Sequence, residues 1–394
     1  MSGQIQSKKV SQIFSRPELP FYLIIWSTVL LSGLGLTMVL SASTVTSLQD
    51  NGNTYSIFIR QFFFLLLGTA AAYWAFKVKG GVWSQIGRVS LTVSVITLLL
   101  PFVPALGKDI KGNRNWIEFA GFTLQPSEFA KFGLILWTAY HLRNLDFLKD
   151  PWRSSFFLFP GFLVIELIII LQKDLGTALL VFLIFAGILF IAGTPLKFFA
   201  ATALPIIVLS SALIFSSAYR MDRFAALLDP FDERYYKFSG WQPAHSIMGM
   251  ASGGLWGSGL GASKQKWANL AEAHTDFIFS VIGEELGLLG SLLVLTLYAA
   301  LIYAIIRVAL KTKDDFSRYV CAAIACWFIA QVAVNIGSAT SLIPVIGVTL
   351  PFVSYGGSSL LANLLAVGYV LGVARRTPDI AAGIKANRVR KLTQ

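Results

Sequence analysis

The chain has 394 residues, of which 55% are hydrophobic and only 13% charged. A soluble domain carries about 25% charged residues, so a water-soluble globule is excluded. The formal net charge is +12, but the basic residues fall between apolar runs rather than in one patch, which speaks for membrane topology and against nucleic acid as a partner.

Apolar runs of about 18–22 residues recur from end to end, the length that crosses ~30 Å of hydrocarbon. Backbone in that solvent must bond to itself, so the runs should be helices. The pattern predicts spans at residues 21–43, 59–77, 89–106, 126–142, 156–172, 175–193, 198–218, 277–306, 319–338 and 359–374. The eighth is longer than one crossing needs, so it should tilt or project. The expected architecture is an all-α polytopic membrane protein of about ten helices over 21–376, with a polar tail at 1–20 and a basic tail at 377–394. The first run reads as a signal anchor, since it is too long for a cleaved signal and follows Lys8, Lys9 and Arg16.

With the N-terminus inside, 20 of the 32 lysines and arginines fall in inner segments, including Lys149 and the cluster from Arg375 onward. Both termini are then cytoplasmic. The basic tail is either a lipid contact or a solvated, disordered end. Cys321 and Cys326 share one apolar run and suggest packing rather than a disulfide or a metal.

The outer side carries the long connections. Residues 219–275 hold Gly253, Gly254, Gly257, Gly259 and Gly261 and a run of charges between 222 and 237. Residues 107–124 are charged, and residues 339–358 hold Pro344 and Pro351. Long loops on a rigid scaffold are where function tends to sit. No internal repeat is visible, nor a pair of interrupted helices in matching halves.

Five groups could carry chemistry, because an ionisable side chain at membrane depth is expensive. Asp276, in the run His274-Thr275-Asp276-Phe277, should sit at the outer mouth of the eighth span. An N-cap is the bland account of it, although a capping carboxylate can still accept a proton or a cation. Glu128 and Lys131 are i,i+3 neighbours after Pro126, which fits either a shielding ion pair or a lysine facing an anionic headgroup. Asp174 lies in a tight turn, Lys173-Asp174-Leu175-Gly176-Thr177, where Asp and Gly are also favoured locally. Glu284 and Glu285 need partners, an arginine or a polar helix contact, and Glu166 is a lone charge with no assignable partner. The last group runs from Gly240-Trp241-Gln242 to Lys266, where glycines allow backbone to approach a ligand.

The runs at 125–131 (QPSEFAK), 274–279 (HTDFIF), 284–287 (EELG) and 351–359 (PFVSYGGSS) together resemble the SEDS family (shape, elongation, division and sporulation). The likeness covers nearly the whole chain. Asn115-Trp116-Ile117-Glu118, Ile282-Gly283-Glu284-Glu285 and Thr349-Leu350-Pro351-Phe352 look more like its division branch than its elongation branch. Two departures stand out: Lys173 replaces the usual proline before Asp174, and His245 occupies an unusual place between Gln242 and Ser246.

The resemblance implies a peptidoglycan glycosyltransferase of the bacterial inner membrane and division septum, with a fold like the GT-C glycosyltransferases. It would polymerise lipid II, working with a class B penicillin-binding protein as transpeptidase, other divisome membrane proteins and membrane lipid. By this likeness Asp276 is the catalytic base. Glu128, Lys131, Asp174, Arg223, Gln242, Ser246, His274 and Ser354 are the expected substrate-binding residues, with Arg220 and Arg234 as further candidates for the diphosphate. A magnesium or manganese ion on Asp276 or Asp174 is expected as an option, and no organic cofactor. A lipid II flippase and a non-catalytic divisome scaffold are the alternatives.

Overall fold

A computed structural model of the chain describes residues 16–110, 112–119, 121–144, 150–215, 218–267 and 269–392. Lys8, Lys9 and Lys149 of the topology argument lie outside the described residues.

A long helix overlaps each of the ten expected spans, the third with a shift: α1 (Leu19–Asn51), α2 (Ser56–Lys77), α3 (Gly80–Leu99), α4 (Pro126–Asn144), α5 (Pro151–Leu171), α6 (Leu175–Ile191), α7 (Leu196–Phe215), then, after three short helices, α11 (Ile278–Lys311), α12 (Asp315–Ala339) and α13 (Gly357–Arg376). By length and composition α1, α2, α3, α5, α11, α12 and α13 can cross a membrane. Their ends follow local rules. Gly52 stops α1 in the left-handed region with its N–H on the Leu48 carbonyl. Asp150, Asp174 and Asp314 each cap the helix that follows.

The third span departs from expectation. The sequence pattern put it at 89–106, but α3 occupies Gly80–Leu99 and ends just before Pro101. Arg88 suggested an inner flank; instead it sits on the exposed face of α3, where a long basic side chain can reach toward the headgroups.

Residues 107–124 form more than a loop. They build a three-stranded antiparallel sheet of β1 (Gly107–Ile110), β2 (Asn113–Phe119) and β3 (Phe122–Leu124). Gly107 pairs with Ile117, and Ile117 with Leu124. The long outer connection is likewise structured, by α8 (Ala218–Leu228), α9 (Glu233–Tyr236) and α10 (Trp241–Ser252). The expected basic tail continues as α14 (Pro378–Leu392), which buries Ile380 in the core and sets Gly383 against Glu18.

The long eighth span is broken. Gly287 has φ 69 and ψ −165 inside α11, a conformation only glycine adopts readily. The break is fixed from outside: the Gly254 and Leu255 carbonyls accept from the amides of Leu288 and Leu289, while Ser258 and Gly259 donate to the carbonyls of Glu284 and Glu285. Residues 253–261 thus plug the gap in the helix ladder that the break opens. Among the described residues, no other long helix carries such a break, so the matching halves of a transporter are not seen here.

The buried centre is formed by α4, α12 and α13, while α2 and α3 present much of their apolar surface outward. Large apolar side chains facing outward are what lipid contact requires.

Candidate functional site

Asp276 lies in the turn that enters α11. Glu272, at φ 58, offers its carbonyl to three successive amides, those of Thr275, Asp276 and Phe277. The helix cap falls at Phe277, one residue after Asp276, and Phe277 makes no side-chain capping bond. The turn is held by its main chain. Asn335 donates to the Asp276 carbonyl at 2.9 Å and to the Val348 carbonyl at 2.7 Å. Ser354 donates to the Thr275 carbonyl at 2.5 Å, and the Tyr355 amide to that of His274 at 2.9 Å. The Asp276 carboxylate is half-buried beside Gly347, where a Cβ would stand 3.5 Å from Oδ2.

Depth follows from helix geometry. Asn335 is about 30 Å along α12 from Asp315 at 1.5 Å per residue, one hydrocarbon thickness. Asp276 therefore belongs at the rim opposite Asp315, which is the outer rim on the orientation expected from the lysines and arginines.

Asp174 is a joint rather than an open ligand. Its carboxylate accepts from the Thr177 amide (2.9 Å) and hydroxyl (2.8 Å), from Asn115 of β2 (2.7 Å) and from Gln125 (2.9 Å). It therefore locks the sheet and the entry of α4 onto the start of α6. Lys173 before it has φ 65, which a proline ring cannot adopt. The residue that departs from the family pattern thus also shapes the turn.

Behind Gly347 the same outer segment closes a cavity of about 540 Å³ against α8 and α10, lined among others by Asp222, Arg223, Lys237, Gln242, Pro344 and Val345. Arg223 donates to the Val345 carbonyl at 3.1 Å. The segment from Val345 to Gly347 therefore has Arg223 at one end and the Asp276 carboxylate at the other. Arg234 is placed differently: it pairs with Asp232 at 2.6 Å on the open surface and holds that carboxyl down to about 2. The side chain of Arg220 lies outside what the structure describes.

Several expected substrate-binding residues are enclosed. Lys131 is completely buried, 2.9 Å from Glu128, 3.2 Å from Gln331 and 5.0 Å from the Trp327 ring. The shielding ion pair is what forms, and no face of Lys131 is open to a headgroup in this conformation. Ser246 is fully buried between Ser280 and the Ala339 carbonyl. His245 bonds the Trp241 carbonyl and stacks on the Trp241 ring at 4.0 Å, which gives its unusual position a packing role. His274 is buried with its ring 5.6 Å from that of Tyr355. Of that group, Arg223 and Gln242 line the cavity, and Ser354 braces the Asp276 turn.

Glu284 and Glu285 find polar contacts and a lysine, not an arginine. Glu284 accepts from Ser263 and the Lys264 amide; Glu285 accepts from Ser41 of α1 and stands 3.6 Å from Lys266. They clamp residues 263–266 to the bundle. Glu166 keeps a buried Oε2 without a hydrogen-bond partner.

Sequence patterns missed Asn335, Gln331, Asn115 and Gly347. A buried amide in an apolar run is a usable signal, because it must find partners. No pattern says which ones. Among the described residues four non-glycine positions take positive φ, namely Lys173, Glu272, Ser341 and Phe352, all in segments around this rim, where strained backbone tends to collect near function.

The donor set does not suit a resident metal. Asp174 already accepts four hydrogen bonds, and among the described residues no three His, Cys, Asp or Glu side chains converge on an ion.

Fold and site together define a multi-pass, mostly helical membrane protein whose polar machinery gathers at one end of the bundle. The chain belongs to the FtsW, RodA and SpoVE family of cell cycle proteins, whose model matches residues 22–378. It is similar to a probable peptidoglycan glycosyltransferase FtsW of Mycobacterium tuberculosis, at 36% identity over 96% of this chain and 72% of that protein. A probable peptidoglycan glycosyltransferase FtsW of Trichlorobacter lovleyi is 37% identical over 91% of this chain and 92% of that one. These relatives bear out the division branch.

Among solved structures, one from work on the structural coordination of polymerization and crosslinking by a peptidoglycan synthase complex matches at a TM-score of 0.73 and 26% identity, over 90% of this chain and 97% of that one. The rod shape determining protein RodA of Thermus thermophilus matches at 0.64 and 27% identity, over 90% and 96%.

Proposed function

We propose that the chain is a peptidoglycan glycosyltransferase that polymerises lipid II into glycan strands at the outer face of the plasma membrane. One inverting displacement suffices. The Asp276 carboxylate takes the proton of the attacking sugar hydroxyl. The hydroxyl oxygen bonds to the anomeric carbon, and the bond from that carbon to the undecaprenyl diphosphate breaks. Arg223, with Lys237 in the same cavity, neutralises the departing diphosphate. Asp174, Asn335 and Ser354 position the base and the rim; Glu128 and Lys131 hold the helices beneath it.

The observation that carries this reading is a half-buried carboxylate at one rim of the bundle, joined by one short segment to a cavity with a guanidinium in its wall. The same reading has all ten long helices crossing the bilayer, both termini in the cytoplasm, and the protein at the division septum with a class B penicillin-binding protein and other divisome membrane proteins.

The test is polymerisation of labelled lipid II by the purified chain with its cognate transpeptidase, with and without chelator. Asp276→Asn is expected to abolish polymer while keeping the partner bound. Near-normal polymer from that variant would overturn the role given to Asp276.

A further inference from the structure

A second cavity, of about 390 Å³, lies at the opposite end of the bundle. Its walls come from the start of α3 (Gly80, Gly81, Ser84), the end of α4 (Arg143), the turn between α11 and α12 (Lys313, Asp314) and the end of α13 (Arg376). These are the inner ends of the spans. The size is within the range of about 300–1,000 Å³ of small-ligand pockets.

Its chemistry is that of an anion site. Three cations, Arg143, Lys313 and Arg376, reach it from three different elements. Arg143 donates to the Ser84 hydroxyl at 3.2 Å and Arg376 to the Val78 carbonyl at 2.8 Å. Each bond fixes a guanidinium while leaving most of its five N–H donors for a ligand. The single acid, Asp314, is engaged by the Ser317 amide at 3.0 Å and hydroxyl at 2.6 Å as the cap of α12. The N-terminus of α3 has no side-chain cap, and its first residues, Gly80 and Gly81, line the cavity. A Cβ on Gly81 would meet nothing within 4 Å, so a side chain at that position has room. Uncapped amides and arginine forks are the two devices that recognise phosphate oxygens.

We propose that this inner cavity binds a phosphate group. Anionic phospholipid of the inner leaflet and a soluble phosphate compound both present that chemistry at this level. The site is independent of the outer rim and takes no part in sugar transfer.

The full-length protein in uncharged detergent, at fixed ionic strength, is titrated calorimetrically with monomeric short-chain phosphatidylglycerol and, separately, with inorganic phosphate. Saturable binding of at least one probe is expected, weakened about tenfold or more in Arg143→Gln/Arg376→Gln. Gly81→Asp is the second variant. A carboxylate in the first turn favours the helix yet repels an anion, so it keeps the fold while binding falls. Lys385→Gln/Arg388→Gln, on the exposed face of α14, leaves binding unchanged. Tight binding of the lipid alone assigns the site to a headgroup; equal competition by inorganic phosphate assigns it to a soluble compound. No saturable binding of either probe, or binding lowered by the α14 variant and untouched by the cavity variants, overturns the proposal.

Discussion

Asn335 holds Asp276 by its main chain: one side-chain amide nitrogen bonds the Asp276 carbonyl at 2.9 Å and the Val348 carbonyl at 2.7 Å. The turn that carries the carboxylate and the outer segment that faces Arg223 are therefore fixed to the same point on α12. Asn335→Leu keeps the volume but strands two buried carbonyls, at about 1–3 kcal/mol for an unsatisfied group. Thermal unfolding should fall, and polymerisation should fall at least tenfold even well below the new Tm, because the base is displaced. A rate equal to wild type in the folded variant would reduce Asn335 to a packing residue.

Glu128 and Lys131 form a buried pair of the kind that is costly to break one-sidedly. Lys131→Ala alone leaves an uncompensated carboxylate and should destabilise by about 3–5 kcal/mol. Replacing both, with Glu128→Gln and Lys131→Met, should recover much of that loss. Chemical unfolding in detergent measures the coupling. Purely additive effects of the two sites would show that the 2.9 Å pair carries no interaction of its own.

Gly287 and Gly33 give opposite outcomes for the same substitution. Gly287 has φ 69, and a Cβ there would run into the Gly257 amide and the Leu255 carbonyl. Gly287→Ala should loosen residues 253–261 from α11, seen as faster proteolysis of that segment and a lower Tm. Gly33 sits inside α1 with nothing within 4 Å of a Cβ, so Gly33→Ala should be neutral or stabilising by up to about 1 kcal/mol. Equal Tm values for the two variants would remove the structural role assigned to the break.

The long helices were legible because apolar length is a local property, and most boundaries moved by only a few residues. The third span moved most, since a single arginine on a lipid-facing helix reads like a loop. The sheet at 107–124 is not legible in the sequence because its strands are short and mostly polar, and it is anchored to the bundle by Arg114 and Asn115 bonding Gln172 and Asp174. Lys131 shows the same limit from the other side. An i,i+3 pair is visible in one dimension, but whether it meets lipid, solvent or Trp327 is not.

The amino-acid order by itself determined a mostly helical membrane protein, an expected orientation, and the short runs that meet at one rim of the bundle. Those follow from runs of apolar residues and from the placement of lysine and arginine, which act through neighbours along the chain. Only the tertiary structure decided that Asp276 shares a rim with Gly347, that Asp174 is spent on four donors, and that α11 breaks at Gly287. Each depends on groups that are distant in sequence, tens of residues away in most cases, and a buried polar atom is satisfied by whatever the fold brings to it.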